Sequence, residues 1–345
     1  MNKIYVRWIV ISLLLLQANL VFASSSTTAR IMFLRGVVTA TDEITQAPRI
    51  LRKNSRVEAG DLLETGPKGL IKIMYPDSSM IFLKSSSKLK LQAISYDKDN
   101  AKDDEIVVDM LKGGLRAFSG AIGKRNPEKI RYNTTVSTIG VRGTAIRLEE
   151  QGDDEWSVVF DIGSGYASND AGVVDIDLDN ALTVSSTQAI GKPVKVEQDP
   201  DDPAQRARRM ATMENDQIQI TVKSLCDALD ESDVMLLLSM QAQLPDSAKD
   251  SMSATVEVLS SCLPSETVSG SLSLATAIKP EISDELFRLS IVGGLDVAVA
   301  MEAIMTGLLN SHPQMYEKIL PIALKAGLSK EQAFEIISGT SAVCL

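Results

Sequence analysis

Val136-Ser137-Thr138-Ile139-Gly140-Val141-Arg142-Gly143-Thr144-Ala145-Ile146-Arg147-Leu148 is the stretch that decides how the first half of this chain folds. Gly140 and Gly143 bracket Val141-Arg142, and apolar residues resume on both sides. Glycine inside a strand pattern marks a bulge, a tight corner or the close approach of another backbone, because a Cβ would not fit there. The stretch therefore reads as strand, corner, strand. Arg142, at the corner, is a forked cation able to hold a phosphate or a carboxylate. No other anion-binding signature accompanies it, so the expectation is a structural arginine tied to a carboxylate or to strand carbonyls.

Outward from this corner the same grammar runs from Arg30 to about Val196. Short apolar-alternating runs such as Leu70-Ile71-Lys72-Ile73-Met74-Tyr75, Met80-Ile81-Phe82-Leu83 and Lys88-Leu89-Lys90-Leu91-Gln92-Ala93 are broken by Gly, Pro, Asn and Asp. Connections such as Glu64-Thr65-Gly66-Pro67-Lys68-Gly69 carry residues that permit positive φ or preset a turn. Strand and turn recur about every ten residues, which favours a sandwich, a barrel or a β-solenoid over a parallel sheet alternating with helices. The acidic segment Asp97–Glu105 has no hydrophobic period and is expected to be a solvated loop rather than a calcium site, since the glycine and terminal glutamate of an EF-type loop are not in place. In Asp175-Ile176-Asp177-Leu178-Asp179 a strand would put the carboxylates on the wet face and the apolar pair in the core.

At Glu197-Gln198-Asp199-Pro200-Asp201-Asp202-Pro203 the period changes. Residues 198–203 read as a stiff, solvated linker, with Asp202-Pro203 suited to start a helix. From 204 to 345 apolar residues fall at three-four spacing, the mark of helices. Pro280–Phe287 aligns with Pro313–Leu320, and Gly294-Leu295-Asp296 with Gly327-Leu328-Ser329, at an offset of 33. Residues 280–312 and 313–345 therefore form two copies of a unit: helix, glycine turn, capped helix. Asp296 or Ser329 is the N-cap, and Gln332 completes a capping box. Such pairs stack on their neighbours to bury their apolar faces, giving a helical array.

Met1–Ala23 begins with Lys3 and Arg7, continues with an apolar run from Ile9 to Leu16 and ends on Val21-Phe22-Ala23, the pattern of a secretory signal peptide cleaved after Ala23. The apolar core is too short to span a bilayer, so no integral membrane anchor is expected after cleavage, and the protein is expected in the periplasm or secreted. Cleavage would remove two basic residues and no acidic ones, taking the net charge of −10 to −12. That balance argues against a nucleic-acid partner, whose phosphates demand a basic face. At 4% aromatic residues the chain is poor in the rings a sugar-binding protein would stack. Cys226, Cys262 and Cys344 lie in the last third without C-x-x-C spacing. Cys226–Cys262 is the expected disulfide and Cys344–Cys262 the alternative.

The pieces Gly36-Val37-Val38, Val57 to Gly66 with its Gly60, Asp61, Thr65 and Gly66, Asp77-Ser78-Ser79-Met80-Ile81-Phe82-Leu83, Leu111 to Arg116 and Gly140-Val141-Arg142-Gly143-Thr144 together resemble the FecR domain in order and spacing. The resemblance covers about residues 30–197. It implies a β-rich, solenoid-like extracytoplasmic module without enzymatic activity. The name-giving members are inner-membrane regulators that sense a loaded outer-membrane transporter and control a sigma factor through a cytoplasmic segment. This chain is expected to lack that segment and the retained membrane helix, and so resembles the free-standing exported members. Thr135 stands where many members have proline, and Ser78 where they have glycine.

His312, the only histidine, falls in an expected inter-repeat turn with no nucleophile motif nearby, and a histidine metal site would need partners the chain does not contain. The sequence thus describes a mainly β domain, solenoid-like or sandwich, followed by an α-helical repeat domain. No enzyme activity, metal or cofactor is expected. The expected role is a protein-interaction, scaffolding or sensing module of the bacterial cell envelope with an envelope protein as partner. The alternative is a periplasmic ligand-binding protein for a cell-wall sugar or small anion, anchored by Arg142 or Trp156. Oligomeric state is not legible.

Overall fold

The computed structural model describes residues 27–143, 145–152, 154–178, 180–185, 190–196, 202–211, 213, 215–226, 229, 231–242, 249–311 and 316–343. The leader Met1–Ala23, Thr144, Asp179, residue 197, residues 198–201 of the expected linker, His312, Pro313 and Cys344 lie outside the described residues.

The alternating runs become short strands. In chain order these are β1 (Thr28–Arg35), β2 (Val38–Asp42), β3 (Pro48–Ile50), β4 (Arg56–Glu58), β5 (Asp61–Thr65), β6 (Leu70–Met74), β7 (Met80–Leu83), β8 (Lys88–Ser95) and β9 (Glu105–Lys112). They continue as β10 (Gly114–Phe118), β11 (Ile130–Asn133), β12 (Thr138–Val141), β13 (Ala145–Gly152), β14 (Glu155–Ile162), β15 (Gly165–Asn169), β16 (Gly172–Ile176), β17 (Asn180–Ser185) and β18 (Val194–Lys195). Two nine-stranded sheets result. The first runs β4-β1-β6-β7-β10-β13-β14-β17-β18 and the second β3-β2-β5-β8-β9-β11-β12-β15-β16. The chain changes sheet after every one or two strands, so strand order follows chain order in both layers except at one edge, where β4 lies outside β1 and β3 outside β2. Only β9 and β11 pair in parallel among the described ladders. The cross-section is a sandwich, and its winding progresses along one axis as a solenoid does.

Between the sheets lies a core that includes Ile31, Leu63, Ile81, Leu115, Leu148 and Phe160. The first sheet has a second apolar face. All four residues of β7 are buried: Ile81 and Leu83 enter the sandwich core, while Met80 and Phe82 join Met74, Phe118 and Ala145 in a cluster shared with helices. A strand buried on both faces reads as a continuous apolar run, which is why β7 is written Met-Ile-Phe-Leu.

The helices are a short α1 (Ala121–Arg125), then α2 (Pro203–Ala211), α3 (Asn215–Leu225), α4 (Glu231–Ala242), α5 (Lys249–Cys262), α6 (Ser265–Ile278), α7 (Ser283–Val292), α8 (Val297–Ser311), α9 (Tyr316–Lys325) and α10 (Lys330–Val343). Beyond α1 each helix packs on the next but one, so α2, α4, α6, α8 and α10 form one layer and α3, α5, α7 and α9 another. Gly294 and Gly327, 33 positions apart, take φ of +103° and +107° after α7 and α9. Ser329 and Gln332 then exchange reciprocal bonds of 3.0 and 3.1 Å across the start of α10, and Asp296 Oδ1 accepts from Ala298 N at 2.9 Å ahead of α8.

Two local expectations change. The acidic segment at 97–105 is not simply solvated: Asp97 and Asp104 are buried, because Arg125 at the end of α1 clamps Asp104 through Nε at 2.7 Å and Nη2 at 2.9 Å and donates to the Asp97 carbonyl. Of the apolar pair at 176 and 178, Ile176 enters the core and Leu178 stays exposed, because β16 ends at Ile176.

The opening corner is a backbone-on-backbone crossing. A Cβ on Gly143 would stand 2.5 Å from Gly163 Cα and 2.8 Å from the Ile162 carbonyl oxygen, while Gly163 itself sits at φ +81°. Gly152, by contrast, faces nothing within 4 Å. Gly143→Ala should therefore lower stability in urea denaturation by about 1–3 kcal/mol through overpacking. Gly152→Ala should stay within about 0.5 kcal/mol.

Candidate functional site

The residues singled out in the sequence are scattered, and each is engaged locally. Gly60 turns the chain at φ +94° into buried Asp61, which holds Arg49 in a fork: Nη1 to Oδ1 at 2.7 Å and Nη2 to Oδ2 at 2.5 Å. That hydrogen bond raises the Arg49 pKa above the usual arginine range. Thr65 Oγ1 donates to the Lys84 carbonyl at 2.6 Å and accepts from Ser87 N at 2.9 Å; Gly66 N donates to the Val37 carbonyl at 2.9 Å. Asp77 is fully enclosed and accepts from Ser79 N, Ser79 Oγ and Ile122 N at 2.9, 2.7 and 3.1 Å, tying its turn to the start of α1. Burial pushes its carboxyl above the ordinary aspartate range. Ser78, in the place of the glycine that the FecR pattern carries, takes φ +67°, a conformation glycine adopts without strain.

Between Gly140 and Gly143, Val141 is buried and Arg142 turns outward. Its Nη1 reaches Asp175 Oδ1 at 2.8 Å and its guanidinium lies 5.6 Å from the Tyr166 ring centre, with both partners of the ion pair more than half exposed. Trp156, the other expected ligand anchor, is 1% exposed, and its indole N–H donates to Thr135 Oγ1 at 3.0 Å. It faces the interior, so it cannot meet a ligand from solvent. Cys226 and Cys262 form a disulfide with Cα atoms 6.1 Å apart, joining the ends of α3 and α5.

What the structure assembles instead is a charged seam where the first sheet meets the helices. Arg116 on β10, Arg147 on β13 and Asp161 on β14 point out of the sandwich toward α2 and α4. Asp161 Oδ1 lies 3.0 Å from Arg147 Nε, and Oδ2 lies 3.3 Å from Arg116 Nε. Its main-chain carbonyl accepts from Arg208 Nη2 of α2 at 2.7 Å. Arg147 Nη1 reaches Asp202 Oδ2 at 3.0 Å, while Asp202 Oδ1 caps α2 by accepting from Gln205 N at 3.0 Å. On α4, Ser232 Oγ accepts from Arg116 Nη1 at 2.5 Å, and Asp233 Oδ2 takes Arg206 Nη2 at 3.0 Å. Asp202 thus belongs to the seam and not to a solvated linker.

Among the described residues, four guanidiniums here face three carboxylates. Burial works to lower the Arg147 pKa, but Asp161 and Asp202 outweigh it and hold the group above the ordinary arginine value. Burial also pushes the Asp161 carboxyl upward while Arg116 and Arg147 pull it back. With a guanidinium nitrogen close to each of its oxygens, the ionised form is the one this geometry holds. In the sequence Arg116 stands out only as the end of the FecR-like piece Leu111–Arg116 and Arg147 only as part of the stretch Val136–Leu148, while Asp161, Arg206, Arg208 and Asp233 carry no signal of their own. The available signal was register: Arg116 is two residues from Phe118 and Arg147 two from Ala145, so each shares a face with an apolar residue.

Among the described residues no cluster of three or more His, Cys, Asp or Glu could hold a metal ion, and no helix is long and apolar enough to cross a membrane.

Residues 61–161 match the family described as FecR protein. No curated protein matches the chain. Two solved structures of a candidate anti-sigma factor from Parabacteroides distasonis are similar at 14% and 13% identity, with TM-scores of 0.31 and 0.32. Each match covers 39% of this chain and 60% of that one, so it spans less than two thirds of the solved protein.

The seam and the corner arginine should respond differently to truncation. Asp161→Ala strands buried guanidiniums and should cost about 3–5 kcal/mol in chemical denaturation, with faster protease cleavage near residues 197–203. Arg142→Ala removes a surface pair and should cost at most about 1 kcal/mol.

Proposed function

We propose that this chain is a non-catalytic sensing and protein-interaction module of the bacterial cell envelope. It would be exported by its N-terminal leader and take a protein partner on the edge strands of its second sheet. The FecR match over residues 61–161 supports a role of this kind. The Cys226–Cys262 bond suits an oxidising compartment, where disulfides persist. The motif residues of the β region are committed to turns and corners, as expected of a scaffold.

The observation that carries the reading is an asymmetry between the two sheets. Both sheets end in strands with one side of the backbone unpaired among the described strands, β4 and β18 in the first and β3 and β16 in the second, but helices cover the outer face of the first only. Ile50 on β3 is 71% exposed and Val173 on β16 is 65% exposed. Exposed edges bearing apolar side chains are surfaces onto which an extended segment of another protein adds as a further strand. The two 33-residue units at 280–312 and 313–345 would extend the helical array on the other side of the molecule and present a second surface.

A photo-crosslinking residue at position 50 or 173, introduced into the full chain and activated in intact cells, should yield a discrete adduct with an envelope protein. The same residue at exposed Ile220 on α3 should not. Absence of adducts from both edges, or the same adducts from position 220, would remove the edge-strand reading.

A further inference from the structure

At the other end of the interface from the seam is a cavity of about 400 Å³, with β1, β6 and β7 below and α6 and α8 above. This is at the small end of the range of ligand pockets, roughly 300–1,000 Å³. Three features separate it from a packing gap. The first is a bulge in β1. Its register on β6 shifts between Ile31 and Phe33, so the consecutive residues Met32 and Phe33 both line the cavity, where regular alternation would send one of them to the opposite face. With Met74 and Met80 they make an apolar floor. The second is the underside of α6, where Ser265, Ser269 and Ser273 recur at a spacing of four and so share one face of the helix. The third is Ser273 itself. It is 4% exposed, and its hydroxyl bonds to no group of the protein, whereas Ser271 satisfies its own by donating to the Thr267 carbonyl at 3.1 Å. A buried hydroxyl without a partner costs free energy, and a lining position is where a bound molecule would relieve that cost.

We propose that this cavity binds a small uncharged amphiphile, an alcohol or ester of medium chain length, with its polar head at Ser273 and its chain along Met32, Phe33, Met74 and Met80. Lys72 on the floor and Lys53 at the mouth are engaged with other groups of the protein, so the buried group left for a ligand's head is the Ser273 hydroxyl. A hydroxyl both donates and accepts, which suits an alcohol or an ester carbonyl. A charged head would give up its hydration for a single neutral hydrogen bond, and that exchange is unfavourable. Methionine walls adapt to a flexible apolar chain. The ligand would lie between sheet and helices, so this site is separate from the edge strands and stands or falls independently of any protein partner.

Calorimetric titration of the full chain with octan-1-ol, butan-1-ol, octanoate and octylamine tests the proposal. Octan-1-ol should bind saturably at one site, and butan-1-ol by about tenfold or more less tightly, because its shorter chain buries fewer methylenes. Octanoate and octylamine should both bind more weakly than octan-1-ol. Ser273→Ala should weaken octan-1-ol about threefold to tenfold, the loss of one neutral hydrogen bond, without lowering the melting temperature of the ligand-free chain. Ala303→Leu, which fills the cavity from α8, should abolish binding; circular dichroism establishes that each variant is folded. If Ala303→Leu does not fold, the ranking of the four probes on the wild-type chain and the Ser273→Ala variant decide the matter. Non-saturable binding of octan-1-ol, octanoate or octylamine bound more tightly than octan-1-ol, a Ser273→Ala chain that binds octan-1-ol like wild type, or a folded Ala303→Leu chain that does so would each overturn it.

Discussion

The first sheet is apolar on both faces, and the rest of the molecule follows from that. A sheet in a two-layer sandwich normally leaves its outer face to water and alternates accordingly. Here Met74, Met80, Phe82, Phe118 and Ala145 point away from the sandwich core. Each methionine or phenylalanine among them would lose about 1.5–3 kcal/mol of burial if left exposed, so a naked sheet of this composition would be an aggregation surface. The helices beyond residue 203 are its cover. Their own apolar residues, including Val234, Leu237, Met301 and Ala303, belong to the same cluster as the strand residues.

Apolar burial alone does not say where on the sheet the helices sit, because one methionine-rich patch accepts another in many positions. The charged seam restricts the choice. Arg116, Arg147 and Asp161 are fixed by three adjacent strands, and their partners Asp202, Arg208, Ser232 and Asp233 by two helices. Taking ions out of water is expensive, and a buried pair of good geometry does little more than recover the cost. A misplaced helix array would leave several of these charges buried and alone. The seam therefore contributes little net stability and much penalty to wrong dockings. Asp202 adds economy of another kind, since one carboxylate both caps α2 and anchors Arg147.

The alternation from Arg30 to Val196 made the β class legible, and the change of period near Asp202 made the helices legible, because both depend on local spacing. Two things were not local. Lys72 and Arg116 follow an ordinary wet-face pattern, and nothing within a few residues of them says that helices more than a hundred positions away will cover that face. The acidic segment at 97–105 is exposed for most of its length, and its two exceptions are of the same kind: the burial of Asp97 and Asp104 goes with Arg125, some twenty residues onward. Conversely, Gly140 and Gly143 invited a phosphate site when seen alone. The backbone crossing at Gly163 accounts for Gly143, and Gly140 leaves the room the Tyr166 ring occupies, which a Cβ would approach to 2.2 Å unless the ring turned aside. Arg142 is left at the surface with Asp175.

Seam and cavity occupy two ends of one interface. The seam joins β10, β13 and β14 to α2 and α4, and the cavity lies between β1, β6 and β7 and α6 and α8. The layer α2, α4, α6, α8 runs continuously from one to the other. A helix layer pinned at one end and resting over a void at the other has its adjustable contact at the void. Methionine side chains accommodate small differences in the separation of α6 and α8 from the sheet without a clash, while the seam, with its directional bonds, resists movement at the other end.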